Sequence, residues 1–407
     1  MMTVDSAILV INCGSSSVKF ALFDPVWDDP RRIWQGAVER IGFDAGRFTV
    51  IDTQGVVVVY ETLQVTDHDA ALDLLLSWVD GQASGPGLTG VGHRVVHGGA
   101  DCDCPLFVTP ALQDRLEHLT PLAPLHLPHN LAGIKAVGLR RPDLPQIACF
   151  DTAFHDGLPR VAQLTGLPRR FDEDGIRRYG FHGLSYEYVI DEIRRRRGDR
   201  AASARIVAAH LGNGASMAAI KGGRSIETSM SFSTLAGLPM GTRPGDLDPG
   251  ILLYLLEEKK ITPGDLQQVL YHQSGLLGRS GLSRNMADLL ARQDLPEAAE
   301  AVEFFCHHAR RHLAGLTASL GGLDRLVFTG GVGANSPEIR ARICQGLGYL
   351  GLEIDADRNL RQESLISADD SAVMIEAFMT DEELVIARHV RDLSAADSMN
   401  GKAHAHG

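Results

Sequence analysis

The chain has few cysteines, no long apolar run and a shortage of basic residues. Six cysteines in 407 residues are too sparse for a disulfide framework, so reduced thiols are expected. No apolar run approaches the roughly 18 residues of a membrane helix, and the N-terminus lacks a signal-peptide pattern. Acidic residues outnumber basic ones by 51 to 39, whereas nucleic acids and anionic membranes prefer basic surfaces. We therefore expect a cytoplasmic protein that binds neither nucleic acid nor membranes.

A dinucleotide-binding fingerprint is also missing, because no G-x-G-x-x-G follows the first predicted strand. Instead, residues 8–24 (ILVINCGSSSVKFALFD) run from an apolar strand through a Gly-Ser-Ser-Ser loop into a second strand. Gly14 allows a tight turn, residues 15–17 offer hydroxyl groups, and Lys19 adds a positive charge. This hairpin predicts a phosphate-binding loop.

Two later segments repeat this kind of strand and loop. Residues 206–220 (IVAAHLGNGASMAAI) again place a glycine-rich turn between apolar runs, which predicts two related half-molecules. Residues 326–340 (LVFTGGVGANSPEIR) combine a buried-type strand with a Gly-rich turn, where Asn335 or Ser336 would cap a helix with Pro337 in its first turn. Such a turn suits a nucleotide lying against the backbone.

The remaining pattern predicts a mixed α/β fold. Strand-like segments alternate with helical ones over residues 70–79 and 110–118, and a long helical pattern covers 296–320. A chain of 407 residues suggests two or three domains. A last helix is expected from residue 382 to 393, followed by a small and polar tail from 398 to 407 that we predict to be disordered.

The three loops resemble those of the superfamily that holds sugar kinases, actin and the heat-shock chaperone ATPases. The motifs around them are similar to those of the acetate kinase family, and the match covers nearly the whole chain. These motifs are HRVVHGG (93–99), PLAPLHLPHN (121–130), FDTAFH (150–155), RYGFHG (178–183), HLGNGAS (210–216), MGTRPGDLDPG (240–250) and DEELVIARHV (381–390).

This resemblance implies an α/β fold of two duplicated ribonuclease-H-like (actin-like ATPase) domains with an interdomain active-site cleft. The N-terminal domain would comprise 1–152 plus 384–397, and the C-terminal nucleotide-binding domain 153–383. The resemblance also implies a homodimer. Its activity would be reversible, direct in-line phosphoryl transfer between ATP and acetate, giving acetyl phosphate and ADP.

The chemistry of that reaction explains which residue types are needed. A carboxylate is already ionised near neutral pH, so its attack on the γ-phosphorus needs no general base. The site must instead supply positive charge and alignment for a spread-out negative transition state. By resemblance, Arg94 holds acetate, Arg243 bridges acetate and the phosphoryl group, and His182 donates to phosphoryl oxygens. Surface salt bridges are the alternative for both arginines.

Asp151 and two further positions complete the expected catalytic set. Asp151 is predicted to orient substrate or a metal-bound water, although a helix cap or turn is its structural alternative. Asn12 and Glu382 match the family's metal-associated positions, and oxygen ligands with retained waters suit Mg²⁺, with Mn²⁺ as an alternative. Glu383 leaves the identity of the acidic ligand open.

The resemblance also marks nucleotide and acyl contacts. The expected nucleotide-binding residues are Lys19, His210, Leu211, Gly212, Asn213, Gly214, Asn285, Gly330, Gly331, Val332, Gly333, Ala334 and Asn335. The methyl group of acetate would be lined by Val96, Leu125, Phe181 and Thr234. Because Val96 should crowd longer chains, we expect acetate to be preferred and propionate tolerated.

The chain departs from the family pattern at several of these positions. Asn285 and Ala287 stand where Asp and Arg are usual, Ala334 replaces a usual Glu, and Thr234 replaces a common Pro. Loss of charge near the nucleotide leads to the hypothesis that donors other than ATP are accepted. Two alternatives remain at this point: a propionate kinase of the same family, and an actin-like nucleotide-dependent clamp that would hydrolyse ATP without a carboxylate.

Overall fold

The computed structural model describes residues 6–26, 29–82 and 87–404, which form two compact units. The first unit contains the described residues up to Ala153 together with those from Asp381 onward. The second unit is Phe154–Thr380. Each unit is built around one β-sheet.

The strands and helices have the following bounds. The strands are β1 Ser6–Cys13, β2 Ser17–Asp24, β3 Arg31–Glu39, β4 Gly46–Asp52, β5 Val57–Leu63, β6 Gly87–Val95, β7 Leu106–Phe107, β8 Gln146–Phe150, β9 Ile206–Leu211, β10 Ala215–Lys221, β11 Arg224–Thr228, β12 Arg325–Thr329 and β13 Met374–Ala377. The α-helices are α1 His68–Asp80, α2 Pro110–His118, α3 Leu127–Arg140, α4 Arg160–Gln163, α5 Arg170–Glu173, α6 Gly183–Arg197, α7 Asp199–Ala202, α8 Pro249–Glu257, α9 Pro263–His272, α10 Gly275–Ser280, α11 Met286–Leu290, α12 Pro296–Leu320, α13 Gly330–Asn335, α14 Pro337–Cys344, α15 Ala356–Leu360 and α16 Glu382–His404. Short 3-10 helices lie at Thr120–Leu122, Ala153–His155 and Gly348–Leu350.

The sheet of the first unit has eight strands in the order β5-β4-β3-β2-β1-β6-β8-β7. Strands β1 to β5 pair antiparallel, whereas β6 runs parallel to β1 and β8 runs parallel to β6. Apolar side chains of α1 and α3, including Leu72, Leu75 and Val137, join Phe20 and Phe48 of the sheet in one buried core. Burial of such side chains is the main stabilising term of this unit.

Helix α16 packs closely on β6 because two glycines of that strand leave room for it. A Cβ atom at Gly92 would lie 2.3 Å from the Ile386 side chain, and one at Gly90 would lie 2.8 Å from Val390. Glycine is therefore required at both positions if the helix is to sit this near the strand. The end of the chain thereby belongs to the first unit.

The five-stranded sheet of the second unit repeats the core of the first. Its order, β11-β10-β9-β12-β13, has two antiparallel pairings followed by two parallel ones. The strands β3-β2-β1-β6-β8 of the first unit show this same sequence of pairings. The predicted mixed α/β class and the duplication of the half-molecules are confirmed.

Three of the predicted helices are confirmed by α1, α2 and α12, and α1 extends slightly beyond its predicted range. The side chains of Asp67 and Thr109 accept backbone hydrogen bonds at the starts of α1 and α2, as N-cap residues do. The prediction is wrong for α16, which continues to His404 through much of the expected disordered tail. Met399, Lys402 and Ala403 in that stretch have high helix propensity. Residues 405–407 lie outside the described residues.

Two of the sequence predictions concern membrane-spanning helices and disulfide bonds. In the part of the chain that the structure describes, no helix has both the length and the apolarity needed to cross a membrane. All six cysteines are free thiols, and only Cys104 is exposed. Burial raises the pKa of the Cys13 thiol to about 12, so the thiol stays protonated and packs rather than reacts.

Candidate active site

At the end of β6, two carboxylates hold the guanidinium group of Arg94. Its Nε and Nη2 atoms donate to the Asp151 carboxylate at 2.8 to 3.2 Å, and Nη1 lies 2.8 Å from Glu382 Oε2. The Asp151 side chain is 3% exposed. Burial alone would lower the pKa of Arg94, but the carboxylates raise it above its ordinary value. Arg94 is thus a permanent cation with a fixed orientation.

Arg32 binds two of the three consecutive acidic residues at the start of α16. Its guanidinium binds Asp381 at 2.5 Å and also binds Glu383. Glu382 is left to face Arg94. Of the two neighbouring glutamates that the sequence left open, Glu382 is therefore the one beside the predicted catalytic arginine.

The β1–β2 hairpin carries the predicted phosphate loop of the first unit. Asn12 lies opposite Lys19 in the ladder, Lys19 is exposed, and the Gly14 N–H donates to the Ser17 carbonyl at 2.8 Å. Gly14 makes this turn without a left-handed backbone. A Cβ there would make only ordinary contact with Ser17, at 3.4 Å.

Sequence reasoning missed the residue that anchors this hairpin. Asn130 of α3 is buried; its Nδ2 donates to the Cys13 carbonyl at 3.0 Å, and its Oδ1 accepts from the Val96 N–H at 3.1 Å. A ring nitrogen of His68 also donates to the Gly14 carbonyl, at 2.6 Å. An asparagine among the apolar residues on the buried face of α3 was the available signal.

In the second unit, His182 and Arg243 converge on Gly214. A Cβ atom on Gly214 would lie 3.3 Å from His182 Nε2 and 2.8 Å from Arg243 Nη2. His182 has a left-handed backbone at φ 60°, and its Nδ1 lies 2.8 Å from Ser216 Oγ. Its ring stacks on His210 with centroids 4.3 Å apart. Four of the predicted site residues therefore meet around the β9–β10 turn.

The loop that carries Arg243 is fixed by backbone hydrogen bonds. The carbonyl oxygens of residues 240, 241 and 242 accept from the N–H groups of 276, 277 and 274 at 2.8 to 3.0 Å. Gly275 has φ 62°, and a Cβ there would lie 2.1 Å from the Met240 oxygen. Because three consecutive carbonyls are held, the arginine extends from a rigid base. This support by residues 274–277 was not predicted.

Arg243 differs from Arg94 in its surroundings. Among the described residues no carboxylate forms an ion pair with Arg243, and its one side-chain hydrogen bond goes from Nη1 to the Thr234 carbonyl at 2.8 Å. Burial lowers the pKa of Arg243 to about 10, while Tyr271 acts weakly in the opposite direction. A partly dehydrated cation beside an imidazole Nε2 is suited to receive an anion.

The predicted nucleotide segments of the second unit lie together. Gly330 has φ 75°, and a Cβ there would lie 2.6 Å from the Leu211 carbonyl, so the β12 end packs against the β9 end. A Cβ at Gly241 would lie 2.1 Å from Asn213 Oδ1 and 3.0 Å from the Arg284 carbonyl. Asn285 follows directly, is exposed and donates to Asp288 at 3.3 Å. Asp288 thus keeps a carboxylate at a segment where charge loss was expected.

The Gly-rich segment itself is a short helix rather than the expected turn. This helix, α13, covers Gly330–Asn335, and Ser336 caps the following α14 by accepting from the Ile339 N–H. Ser336, not Asn335, is therefore the cap. The fully buried Arg340 donates to the Gly333 and Ala334 carbonyls at 2.9 and 2.6 Å. Arg340 was not predicted, and it fixes the end of α13.

The four predicted acyl contacts are divided between the units. Val96 and Leu125 lie in the first unit and are half-buried. Phe181 and Thr234 lie in the second unit and are buried. The Thr234 carbonyl accepts from Arg243, and Phe181 directly precedes His182. Both residues of the second unit are therefore tied to its two predicted catalytic side chains.

The buried His155 supports the loop that precedes His182, and its burial makes the stability of the fold depend on pH. His155 Nε2 donates to the Phe181 carbonyl at 3.0 Å, and its Nδ1 lies 2.8 Å from Ser225 Oγ. Burial lowers the pKa of His155 to about 4 from 6.5. Because the unfolded state then binds more protons below pH 6.5, stability is present above that pH and is lost as pH falls toward 4.

We expect protonation of His155 to lower the free energy of unfolding by about 3 kcal/mol between pH 7 and pH 4. Urea unfolding of wild type and His155→Gln at several pH values from 7 to 4 measures the effect. The variant should be less stable at pH 7 and show a shallower pH slope. An unchanged slope would assign the loss to other groups, among them His93, whose pKa burial also lowers to about 4.

The described residues contain no group of three histidine, cysteine, aspartate or glutamate side chains arranged to hold a metal. Asn12, at the end of β1, and Glu382, at the start of α16, both belong to the first unit. Mg²⁺ commonly takes only one or two protein oxygens and completes its shell with water and substrate phosphates. If Asn12 and Glu382 supply two such oxygens, as predicted, their number fits a cation that keeps waters and substrate phosphates.

Known proteins similar to this chain include acetate and propionate kinases. Residues 7–388 match the acetokinase family. The chain is 48% identical to an acetate kinase of Rhodopseudomonas palustris over 395 residues, covering 95% of this chain and 98% of that protein. It is 43% identical to a propionate kinase of Citrobacter rodentium over 397 residues, covering 96% and 98%. The crystal structure of Porphyromonas gingivalis acetate kinase aligns with a TM-score of 0.86 at 34% identity, covering 95% of this chain and 99% of that one.

Proposed function

This chain belongs to the acetokinase family, and we propose from that membership and from its site geometry that it catalyses reversible phosphoryl transfer between ATP and acetate. The products are acetyl phosphate and ADP. The enzyme is a phosphotransferase with a carboxyl group as acceptor. The observation that carries the proposal is the uncompensated Arg243 guanidinium, which lies with His182 over Gly214.

Arg94 is suited to hold the acetate carboxylate. Its Nε–H, one Nη2–H and one Nη1–H are taken by Asp151 and Glu382, which leaves two of the five guanidinium N–H groups for a ligand. The protein carboxylates fix the plane of the fork, so little side-chain entropy is lost when acetate binds. We propose that Asp151 acts by positioning Arg94, rather than by taking a proton.

Arg243 and His182 are suited to the transferring phosphoryl group. The acetate oxygen attacks the γ-phosphorus as the bond to the ADP oxygen breaks, and negative charge is spread over the equatorial oxygens. Arg243 Nη2 and His182 Nε2 lie near one point, where the guanidinium and an N–H at Nε2 would bind those oxygens. Ser216, through His182 Nδ1, keeps the ring in place. Val96, Leu125, Phe181 and Thr234 would surround the methyl group.

The nucleotide and its metal complete the proposal. We assign the phosphates to Lys19 and residues 210–214, and adenosine to Asn285 and residues 330–335. Asn12 and Glu382 would hold Mg²⁺, or Mn²⁺ in its place, directly or through water. When bound, such a cation neutralises phosphate charge and aligns the nucleotide. We place the reaction in the cytoplasm, a location that the six free thiols support.

ADP release from Mg-ATP by purified protein, with acetate, propionate, butyrate or no carboxylate, tests the function. Acyl phosphate is trapped as hydroxamate. We expect acetate-dependent turnover with trapped product and lower turnover with propionate. Propionate preferred over acetate would favour the related propionate kinase activity, and ATP hydrolysis without carboxylate or trapped product would overturn the proposal. Repeating the assay with GTP and pyrophosphate tests whether Asn285, Ala287 and Ala334 relax donor choice.

An exposed apolar helix supports a homodimer. None of the nine residues of α8 is buried, although it contains Ile251, Leu253 and Tyr254, which are 46%, 56% and 52% exposed. Adjacent exposed apolar side chains of this kind mark interaction surfaces. We propose that α8 packs against a second copy of the chain.

Leu253→Glu is expected to weaken the dimer at least about tenfold, because a charge would be buried without a partner. Light scattering after size-exclusion chromatography, over a range of protein concentrations, measures this. Leu139→Glu is the matched control, since Leu139 is 84% exposed on α3 and should tolerate charge. A Leu253→Glu protein with wild-type mass at every concentration would refute this interface.

A further inference from the structure

Asn130 occupies a gap in the sheet of the first unit. Strands β1 and β6 run parallel, and their ladder ends at the pair Ile11 and His93. Beyond that pair the two backbones lead to the phosphate hairpin and to Val96. The Asn130 carboxamide spans this opening, with its nitrogen on the Cys13 carbonyl at 3.0 Å and its oxygen on the Val96 N–H at 3.1 Å.

The Asn130 side chain makes the two hydrogen bonds that a backbone peptide group would make at this position. A carboxamide has the donor and acceptor of a backbone peptide, so it satisfies one buried carbonyl and one N–H at once. Asn130 is 3% exposed, and water would not readily replace it. The helix around it is close-packed on the hairpin, because a Cβ at Gly133 would lie 2.6 Å from Cys13 Sγ.

We propose that Asn130 is a positioning residue that fixes the distance between the phosphate hairpin and the acyl-contacting Val96. This inference rests on the proposed function, which assigns Asn12 to the metal and Val96 to the acetate methyl group. One arm of the amide holds the end of β1, and the other holds the end of β6. A shift of either end changes the alignment of acetate with the phosphoryl donor, to which in-line transfer is sensitive.

Two substitutions distinguish the effects of the two Asn130 hydrogen bonds, the one to the Cys13 carbonyl and the one from the Val96 N–H. Asn130→Leu has a similar shape and removes both hydrogen bonds, leaving the Cys13 carbonyl and the Val96 N–H unsatisfied. Asn130→Asp keeps an oxygen acceptor for the Val96 N–H. We expect Asn130→Leu to raise the KM for acetate about tenfold and to lower kcat about tenfold. Asn130→Asp should retain an acetate KM within about threefold of wild type, because the Val96 arm persists.

Gln146→Leu is the matched control. Gln146 begins β8, at the end of the strand away from Asp151. In the orientation that satisfies its whole amide, it bonds His93 and the Ile134 and Gly138 backbones of α3. Its loss removes a comparable amide that bonds to the same helix, away from the hairpin. We expect Gln146→Leu to lower the melting temperature without changing either kinetic constant by more than about twofold.

Hydrogen exchange provides a readout that does not depend on turnover. The amides of Val96 and of the hairpin should exchange faster in Asn130→Leu than in Gln146→Leu, and Val96 should be protected in Asn130→Asp. Wild-type kinetic constants in Asn130→Leu, or exchange no faster than in Gln146→Leu, would overturn the proposal. If wild type shows no acetate-dependent turnover, the proposed function fails, whereas the exchange result still decides whether Asn130 anchors both strand ends.

Discussion

Replacing Arg243 by alanine is expected to lower kcat about 10³-fold, in line with the loss of an arginine that stabilises a phosphoryl-transfer transition state. Arg243 points with His182 at one location and has no carboxylate partner among the described residues, so it is free to neutralise developing charge. Arg243→Lys should recover only part of the rate, because an ammonium group lacks the planar fork.

The same substitution should leave the fold at least as stable as before. A partly dehydrated cation without a counter-ion is a cost to the native state, and alanine removes it. Steady-state kinetics and thermal unfolding of the same samples measure both effects. Arg205→Ala is the control, because Arg205 lies at the start of the same unit's sheet and pairs with Asp324. Arg243→Ala with more than a tenth of wild-type kcat would contradict its assigned role.

Replacing Arg94 by alanine is expected to lower kcat/KM for acetate by about 10² to 10³-fold and also to destabilise the first unit. Asp151 and Glu382 would lose the cation that both of them bind. Breaking a buried ion pair by removing one partner costs about 3 kcal/mol or more. Arg94→Ala should therefore differ from Arg243→Ala, since it loses stability as well as activity.

Arg32 is a matched control for Arg94. It also binds two carboxylates, Asp381 and Glu383, next to the same helix start. Arg32→Ala should lose stability of a similar order but keep kcat/KM for acetate within about tenfold of wild type. Urea unfolding and acetate saturation curves distinguish the two variants. Equal losses of kcat/KM would show that Arg94 acts by supporting α16 and not by binding acetate.

The fold was predictable because its signals are local. Each phosphate-type hairpin is contained within about 17 consecutive residues, and the apolar strands on either side of the turn are visible in sequence. The caps of α1 and α2 are likewise local, since Asp67 and Thr109 bind N–H groups three residues away. The duplicated sheets follow from two such hairpins with parallel strands added to each.

What was missed depends on contacts between distant segments. Asn130 binds a carbonyl 117 residues before it, and Arg32 binds a carboxylate 349 residues after it. The choice between Glu382 and Glu383 depends on how α16 is oriented toward two arginines, which periodicity alone does not specify. Arg340 resembles a surface arginine in sequence, because the carbonyls that it binds become buried only when α13 and α14 fold.

The packing of α16 on Gly90 and Gly92 has a consequence for synthesis on the ribosome. The second unit is continuous in the chain, so it can fold once residue 380 has emerged. The first unit is translated earlier but receives α16 only after the residues from Asp381 onward have been translated. Until then the nascent chain leaves the glycine face of β6 uncovered and Arg94 without Glu382. The unit that is translated first is thus completed second, and a chain interrupted before residue 382 would leave Arg94 without its Glu382 contact.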